Sequence, residues 1–425
     1  MNHTVSSATA PGHLPRNDRK WGADAVEELH DAPSRISLAR PSGCISAGNH
    51  LRVLRNGTET LPALFHAIRA ARRYVHLEYY VIEEVHLRGE SLSDLLIAKC
   101  KSGVQVAILF DAVGSSSTSP DFFGELQRHG VNLLPFNPIN PLKLRRPYSK
   151  NRRDHRKILI ADGRIAILGG INLSQAYESP PLHPLTAAAA SGQSSPRRWR
   201  DTDLHVEGPA VAHLQRLFLE HWSSQGGTTL EERGFYPPLT QQGQERVAII
   251  GSCPQSSGSR FYHLLLEAVR AAQHRVWITA GYFLPTAALI RELAQAARRH
   301  VDVKLLLPAH NDSVAALAVQ RSMYARLLNC GVKILERESV ILHSKSAVID
   351  HSWSCVGSSN IDARSVRYND EVDAVVVGTK TAESLAQLFD DDVAKSRLIE
   401  PAAWYARPVT QKLREMFWRP WQALL

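Results

Sequence analysis

The sequence has few cysteines and no long apolar run. Its 425 residues include five cysteines, which are widely spaced and odd in number, and none forms a Cys-x-x-Cys pair. This pattern argues against a disulfide framework and against a structural zinc site. No stretch approaches the roughly 18 apolar residues of a membrane span, and residues 1–30 lack the apolar segment of a signal peptide. We therefore expect the chain to begin and stay on the cytosolic side of the membrane.

The composition is that of a globular protein with a local excess of positive charge. Hydrophobic residues make up 44% of the chain and charged residues 21%. At about 150 residues per domain, the length predicts two or three domains. The formal net charge is +9, and residues 138–164 alone contain nine basic and two acidic residues. This basic window predicts an anionic partner such as a phosphate, a lipid headgroup or a nucleic acid.

The chain contains an internal repeat behind an N-terminal tail. Residues 1–48 are rich in Pro, Ser, Ala and Arg without helical or strand periodicity, so we expect a mostly disordered tail. The segment AIRAARRYVHLEYY from Ala67 then resembles AVRAAQHRVWITAGY from Ala268, and GVNLL from Gly130 matches GVKIL from Gly331 at the same separation. Such self-similarity indicates one fold present twice.

Each copy alternates short Val/Ile-rich strands with helical segments, which predicts an α/β fold. We expect two pseudo-symmetric α/β/α sandwich domains with mixed sheets, which face each other across one active site. The predicted domains are residues 49–224 and 246–400, joined by a turn-rich linker at 225–245 and followed by an amphipathic C-terminal segment at 401–425. The first copy is longer in the basic window and in an Ala/Ser-rich loop before Trp199.

The central motif is His-x-Lys-x4-Asp followed by Gly-[Gly/Ser]-x-Asn, and it occurs once in each copy. Its residues are His155, Lys157, Asp162, Gly169, Gly170 and Asn172 in the first copy, and His343, Lys345, Asp350, Gly357, Ser358 and Asn360 in the second. Residues i and i+2 of a strand point to the same face, so the imidazole and the ammonium of each copy lie side by side. Two copies that meet would collect two His, two Lys and two Asn around one pocket.

That set of side chains suits phosphoryl transfer without a metal or another cofactor. A neutral His attacks phosphorus, and a protonated His donates a proton to the leaving oxygen. The lysines together with Asn172 and Asn360 supply positive charge and donors to the phosphate oxygens. Small residues at Gly170 and Ser358 allow a phosphate to approach the backbone. We therefore predict catalytic and phosphate-binding residues but no metal ligands.

Four carboxylates accompany the motif. Glu371 and Asp201 occupy matching positions on the return strands, so they are candidates for orienting His343 and His155; surface ion pairs are the alternative. Asp162 and Asp350 belong to the catalytic motif. Their places at hairpin turns, however, favour a role in holding loop geometry over contact with substrate.

These residues resemble the phospholipase D superfamily, and within it the bacterial cardiolipin synthase family, from Gly48 to about Arg397. The resemblance rests on GNHLRVLRNG at Gly48, HLEYYVIEEV at His76, the segment from Phe136 to Asn172, WRDTDLHVEGPAV at Trp199, GYFLP at Gly281 and VGSSNIDARSVRYNDE at Val356. It implies that His155 forms a phosphatidyl-histidine intermediate and that His343 acts as general acid and later as base. The implied reaction makes cardiolipin and glycerol from two phosphatidylglycerol molecules.

The chain resembles a short form of that family without N-terminal membrane helices, which implies peripheral binding to an anionic surface at the cytoplasmic face of the bacterial membrane. An apolar stripe with helical spacing near the C-terminus fits a helix that lies in the lipid interface; docking on the parent domain is the alternative. The stripe consists of Leu413, Met416, Phe417, Pro420, Trp421 and Leu424.

Other activities of the same superfamily stay open. Water in place of the alcohol would give a hydrolytic phospholipase D, and the basic window would also suit a nuclease. No recognisable nucleic-acid-binding motif accompanies it, so we expect no nucleic-acid partner. Two intact motifs argue against a non-catalytic scaffold protein. Because one chain carries both half-sites, we expect a monomer to suffice for catalysis.

Overall fold

The structure is a computed structural model that describes residues 45–138, 151–178, 198–253, 259–311 and 313–423. Most of the predicted tail, the middle of the basic window and most of the Ala/Ser-rich loop lie outside these residues. The predicted tail ends too late in the sequence, because residues 45–48 already belong to the first strand. Alternating burial of these residues against the second copy explains their extended conformation.

The first copy runs from the first strand to a long helix. Its elements are β1 (Ile45–Arg55), α1 (Asn56–Ala70), β2 (Tyr74–Tyr79), β3 (His86–Leu87), β4 (Glu90–Ser91), α2 (Leu92–Lys101), β5 (Gln105–Asp111), α3 (Pro120–Arg128), β6 (Asn132–Phe136), β7 (Arg153–Asp154), β8 (Lys157–Ala161), β9 (Ile165–Gly169), a 3-10 helix (Gln175–Tyr177), β10 (Arg198–Arg200), β11 (Thr202–Glu207) and α4 (Ala210–Ser224). Residues 225–244 then form neither helix nor strand.

The second copy repeats this order and adds C-terminal helices. Its elements are β12 (Glu245–Ser252), α5 (Arg260–Ala271), β13 (Arg275–Ala280), α6 (Ala287–Arg298), β14 (Asp302–Pro308), α7 (Val314–Ser322), α8 (Tyr324–Leu328), β15 (Lys333–Arg337), β16 (Val340–Leu342), β17 (Lys345–Ile349), β18 (Trp353–Gly357), α9 (Ala363–Arg367), β19 (Asn369–Val377), α10 (Thr379–Val393), β20 (Ser396–Leu398), α11 (Pro401–Tyr405), α12 (Val409–Trp418) and a 3-10 helix (Arg419–Ala423).

One mixed sheet passes through both copies. Its order is β6-β5-β2-β8-β9-β11-β1 in the first copy, followed by β12-β19-β18-β17-β13-β14-β15-β20 in the second. The equivalent strands β1 and β12 pair antiparallel, with Ile45 opposite Ala248 and Asn49 opposite Glu245. This pairing satisfies an edge that each copy alone would expose. The two sheets expected from the sequence are therefore one continuous sheet.

Helices cover both faces of the sheet, as the predicted α/β/α layering requires. On β5, Val106 and Ile108 pack toward the cluster that contains α1, α2 and α3, whereas Ala107 and Leu109 pack toward α4. This alternation has the period of two expected for a strand buried on both faces. A third cluster joins the second-copy sheet to α5, α6, α7 and α8. The helices α4 and α10 share one cluster that spans both copies.

The aspartates of the two motifs hold hairpins at the far ends of β8 and β17 from the histidines. Asp162 and Asp350 have φ angles of 52° and 51°, a left-handed conformation that Asp tolerates in turns. Each carboxylate accepts hydrogen bonds from three consecutive backbone N–H groups, at 2.8–2.9 Å and 2.7–3.2 Å respectively. The donors are Arg72, Arg73 and Tyr74 for Asp162, and Gln273, His274 and Arg275 for Asp350. The assignment of these aspartates to the catalytic set is therefore replaced by a structural role.

We expect Asp162→Ala to destabilise the fold, because it leaves three backbone donors without their charged acceptor. The free energy of unfolding should fall by about 2–3 kcal/mol, measured as a shift of the urea midpoint. Asp121→Ala is the matched control: Asp121 is an exposed aspartate in α3, and its loss should shift stability by less than about 1 kcal/mol. Equal midpoints for the two variants would contradict the structural role.

Candidate active site

The backbone of each motif histidine is bound to the opposite copy. The strand β7, which precedes His155, pairs with β19, and His155 N donates to Asp370 O at 2.8 Å. Symmetrically, β16 precedes His343 and pairs with β10, and His343 N donates to Arg200 O at 2.8 Å. Each accepting carbonyl belongs to the residue just before a candidate carboxylate. At the site, each copy therefore pairs a short strand with a strand of the other copy.

These strand pairings decide which carboxylate faces which histidine. His155 Nδ1 lies 3.0 Å from Glu371 Oε2 and 3.1 Å from Ser358 O. His343 Nδ1 lies 2.8 Å from Asp201 Oδ2. Both carboxylates are the ones predicted from the sequence, but the predicted pairing of Glu371 with His343 and of Asp201 with His155 is wrong. The partners are crossed because each return strand carries its carboxylate across the interface.

The crossed partners fix the tautomer of both rings. The atoms that face Nδ1 of His155 are acceptors, and Asp201 accepts from His343, so Nδ1 carries the proton in both rings. Burial lowers the pKa of both histidines, and Lys345 lowers that of His343 further, to about 4, although each facing carboxylate acts in the opposite direction. Both free imidazoles are therefore neutral at pH 7, with Nε2 as the basic nitrogen.

The two carboxylates stay ionised although they are buried. Burial alone would raise the pKa of Asp201, but Lys345 and His343 outweigh it and lower that pKa to about 2. Burial likewise opposes ionisation of Glu371, whose pKa is nevertheless lowered by His155 and Lys157. Each carboxylate can therefore stabilise an imidazolium that forms opposite it.

The motif lysines are buried behind the histidines. Lys157 Nζ donates to His155 O at 2.5 Å, and Lys345 Nζ donates to His343 O. Burial lowers the pKa of Lys157 to about 7 and that of Lys345 to about 8, although Glu371 and Asp201 raise both values. Nearby negative charge favours the protonated forms. A bound phosphate would therefore draw both lysines toward their charged state.

A cavity of about 400 Å³ lies between the two copies. Polar groups of both motifs line it, namely His155, His343, Asn172 and Asn360. Asn172 Oδ1 accepts from Val81 N at 3.2 Å, which holds this side chain, and the backbone N–H of Asn360 donates to Ser365 Oγ at 3.1 Å. Aromatic rings of the cavity wall lie 5.1–6.4 Å from the histidine rings; these are Tyr80, Trp199 and Tyr282.

The small residues of the motif contact the carboxylates instead of lining this cavity. A Cβ atom on Gly170 would lie 2.1 Å from Asp201 Oδ1, so a side chain there would displace the partner of His343. Ser358 Oγ donates to Glu371 Oε2 at 2.5 Å. Among the described lining residues neither is present. We therefore correct their predicted role from binding phosphate to positioning the carboxylates.

Sequence reasoning missed several residues that hold the carboxylates. Ser365 Oγ and Asn369 Nδ2 donate to Glu371 Oε1 at 2.7 and 3.2 Å, and Tyr177 OH lies 3.3 Å from Asp201 Oδ2. Asp203 and Asp373, two positions after the carboxylates on the same strand faces, accept from the backbone N–H groups of the Gly-x-x-Asn loops. Burial raises the pKa of Asp373 to about 8. The pattern of an acidic residue followed two positions later by Asp, which occurs in both copies, could have identified Asp203 and Asp373 from the sequence.

A buried charge network lies directly behind His155. Glu78, Asp154 and His221 each offer a ligand atom within 4.8 Å of the others, as a metal site would. However, the Arg156 guanidinium donates to Glu78 Oε1 at 3.2 Å and to the Glu371 carbonyl at 3.2 Å. A cation therefore already lies among these carboxylates. Because Arg156 also contacts the strand that carries Glu371, we interpret the network as support for the His155 loop.

Comparisons with known proteins identify the family of this chain. A family model described as cardiolipin synthase, PLD-like domain matches residues 64–179 and 265–393. The cardiolipin synthase of Geobacillus sp. strain WCH70 is 32% identical over 411 residues, covering 94% of this chain and 78% of that protein. The chain belongs to the cardiolipin synthase family.

Other members of the cardiolipin synthase family and a solved structure extend the similarity. Cardiolipin synthase 2 of Bacillus anthracis is 33% identical and covers 90% of this chain and 72% of its own length. The crystal structure of phosphatidylserine synthase from Haemophilus influenzae Rd KW20 superposes with a TM-score of 0.63 at 14% identity, covering 88% of this chain and 95% of that one. That likeness supports the two-copy phospholipase D-like fold.

The crossed partners predict which histidine responds to which carboxylate. Glu371→Gln should change the imidazole ¹⁵N chemical shifts of His155 and leave those of His343 in place, whereas Asp201→Asn should do the reverse. Each variant should also lower activity by about 10- to 100-fold, because an orienting partner is lost. NMR of protein labelled with ¹⁵N-histidine measures the shifts. A response of His343 to Glu371→Gln would contradict the crossed geometry.

Proposed function

We propose that this protein transfers a phosphatidyl group from one phosphatidylglycerol to the hydroxyl of a second, giving cardiolipin and glycerol. The observation that carries the proposal is the pair of histidines on one cavity, each oriented by a carboxylate of the other copy. Membership of the cardiolipin synthase family supports the choice of lipid. The two asparagines and the buried lysines supply donors and positive charge for one phosphate.

In the first half-reaction, His155 Nε2 attacks phosphorus of the donor lipid. The bond from phosphorus to the glycerol oxygen breaks, and His343 gives its Nε2 proton to that oxygen, so glycerol leaves and a phosphatidyl-histidine remains. In the second half-reaction, His343 takes the proton of the acceptor hydroxyl, and the acceptor oxygen attacks phosphorus. The phosphorus–nitrogen bond then breaks, which releases cardiolipin and restores both histidines.

The protonation states fit these roles once the substrate is bound. A nucleophile must be neutral, and burial holds the pKa of His155 below its usual value. The general acid must be protonated, whereas the free His343 has a pKa of about 4. A phosphodiester anion beside the ring favours the imidazolium, and Asp201 faces its other nitrogen. We infer that substrate binding and protonation of His343 are coupled.

The proposal predicts the products formed from phosphatidylglycerol vesicles. Purified protein without added divalent metal should release cardiolipin and glycerol, as resolved by mass spectrometry. His155→Ala and His343→Ala should each lower turnover by about a thousandfold or more, whereas the exposed His263 in α5 provides a control, His263→Ala, with full activity. Phosphatidic acid as the sole product would indicate a hydrolase. Substantial activity in either active-site variant would contradict the shared mechanism.

We further propose that the protein binds an anionic membrane surface as a peripheral protein at the cytoplasmic face. None of the helices in the described part of the chain has the length and hydropathy of a membrane span. Cys100, Cys330 and Cys355 are free thiols, which suits a reducing compartment. The protein must nevertheless reach a lipid headgroup, so a surface of the fold has to meet the membrane.

The C-terminal helix α12 offers that surface. Its stripe is exposed, with Leu413 at 53%, Met416 at 64%, Phe417 at 66% and Trp421 at 50% of their full accessible area, whereas Leu424 lies outside the described residues. Exposed apolar side chains this dense mark an interaction site. Arg414 and Arg419 are exposed beside them, as an amphipathic helix at an anionic interface requires.

Other residues dock the segment on the domain, so the proposed membrane contact involves only its exposed face. Trp418 packs against the second-copy core, and Arg407 holds Glu415 at 2.6 Å. Gln422 Nε2 donates to Pro285 O at 2.9 Å, in the loop that follows Tyr282 of the cavity wall. This contact places the end of the C-terminal segment beside the loop that follows Tyr282.

We expect the double variant Met416→Ser/Phe417→Ser to bind phosphatidylglycerol vesicles at least about tenfold more weakly, because apolar area is no longer buried in the bilayer. Vesicle flotation measures the partition. Tyr236→Ser removes a side chain with 52% exposure outside the segment and is the control. Equal flotation of all three proteins would contradict docking through α12.

A further inference from the structure

The cavity wall carries an arginine that the transfer mechanism does not use. Arg364 lies in α9 and lines the cavity with the two histidines. It is exposed, and its guanidinium makes no hydrogen bond or ion pair with any residue that the structure describes. The other lining arginine, Arg153, is buried and donates to Asp111 Oδ1 at 3.4 Å and to Asn137 O at 3.3 Å. Arg364 is thus available to a ligand.

The arginine breaks the symmetry between the copies. Arg364 stands four residues after Asn360, and the residue four positions after Asn172 is Ala176. Both loops carry a side-chain acceptor two residues after the asparagine: Asp362 Oδ1 accepts from Ser365 N, and Ser174 Oγ accepts from Ala176 N. Only the second-copy side of the cavity therefore presents this guanidinium.

The acidic side chain among the described wall residues, Asp362, is bound elsewhere. Asp362 also lines the cavity, but its carboxylate caps the N-terminus of α9 through the hydrogen bond to Ser365 N at 2.7 Å. Burial raises the pKa of Asp362 to about 6, and Arg364 acts in the opposite direction. Among the described residues of the wall, Arg364 is thus an exposed cation beside a carboxyl that is bound to its own helix.

A transfer between two phosphatidylglycerol molecules brings two phosphates into this cavity. The donor phosphate lies at the histidines, with the asparagines and lysines around it. The acceptor brings its hydroxyl to the same phosphorus but keeps its own phosphodiester, which carries one negative charge through both steps. Two anions that approach each other in a partly buried cavity repel, so the second requires a cation of its own.

We propose that Arg364 binds the phosphate of the acceptor lipid and thereby selects an anionic acceptor over water or a neutral alcohol. The guanidinium presents paired N–H donors that match two phosphate oxygens. This inference rests on the proposed phosphatidyl transfer. It assigns the donor to the symmetric part of the site and the acceptor to the second-copy side.

A competition between acceptors tests the assignment. Phosphatidylglycerol vesicles are incubated with a fixed concentration of ethanol, and cardiolipin and phosphatidylethanol are quantified in the same reaction. Both products use the same donor, so their ratio reports acceptor selection alone. Arg364→Gln should lower the ratio of cardiolipin to phosphatidylethanol by about tenfold or more, the range expected for the loss of a charged hydrogen bond. Arg364→Lys should recover part of the ratio.

Arg367→Gln is the matched control, because Arg367 is an exposed arginine of the same short helix and is not among the described residues of the cavity lining. Its product ratio should equal that of the unchanged protein. An equal fall of both products in Arg364→Gln, or an equal change of ratio in Arg367→Gln, would overturn the assignment. If the unchanged protein made neither product, the proposed transfer itself would fail, which is a separate result.

Discussion

The site depends on the exchange of short strands between the two copies. The backbone N–H of each histidine is bound to a carbonyl of the other copy, and its Nδ1 faces the carboxylate of the residue that follows this carbonyl in the chain. Neither copy can orient its own histidine. The antiparallel pairing of β1 with β12 and the core shared by α4 and α10 hold the copies in register, so packing far from the cavity fixes the geometry at phosphorus.

The fold can bury so many ionisable groups only because each buried charge lies close to a group of opposite charge. An isolated buried charge is strongly destabilised, whereas paired and hydrogen-bonded charges are retained. Asp201 and Glu371 stay ionised because the lysines and histidines face them, while burial holds the pKa of Lys157 near 7. A phosphate anion completes the balance by favouring the protonated lysines. The negative charge of the substrate thus stabilises the positive charges that are buried in the site.

The sequence predicted which residues form the site better than it predicted which of them contact each other. The repeated motifs predicted which histidines, lysines, asparagines and carboxylates form the site. This was possible because the spacing between these residues is similar in both copies. The sequence did not predict that Glu371 serves His155, since a return strand can place its carboxylate on either side of an interface. The role of Gly170 was also missed, because a residue that makes room for Asp201 and one that makes room for a ligand look alike in a sequence.

The departures from symmetry lie where the reaction requires them. A perfectly symmetric cavity would treat both phosphates alike, yet a transferase must distinguish the donor from the acceptor. The buried groups that act on phosphorus are repeated in both copies. The cavity wall is not: Tyr80 packs its ring against His155, whereas the equivalent position is Gly281, where a Cβ atom would lie 2.8 Å from His343 Cα. Arg364 against Ala176 follows the same division. Duplication therefore explains why both copies contribute the same reacting groups. The differences between the two sides of the cavity wall allow the donor lipid and the acceptor lipid to bind on different sides.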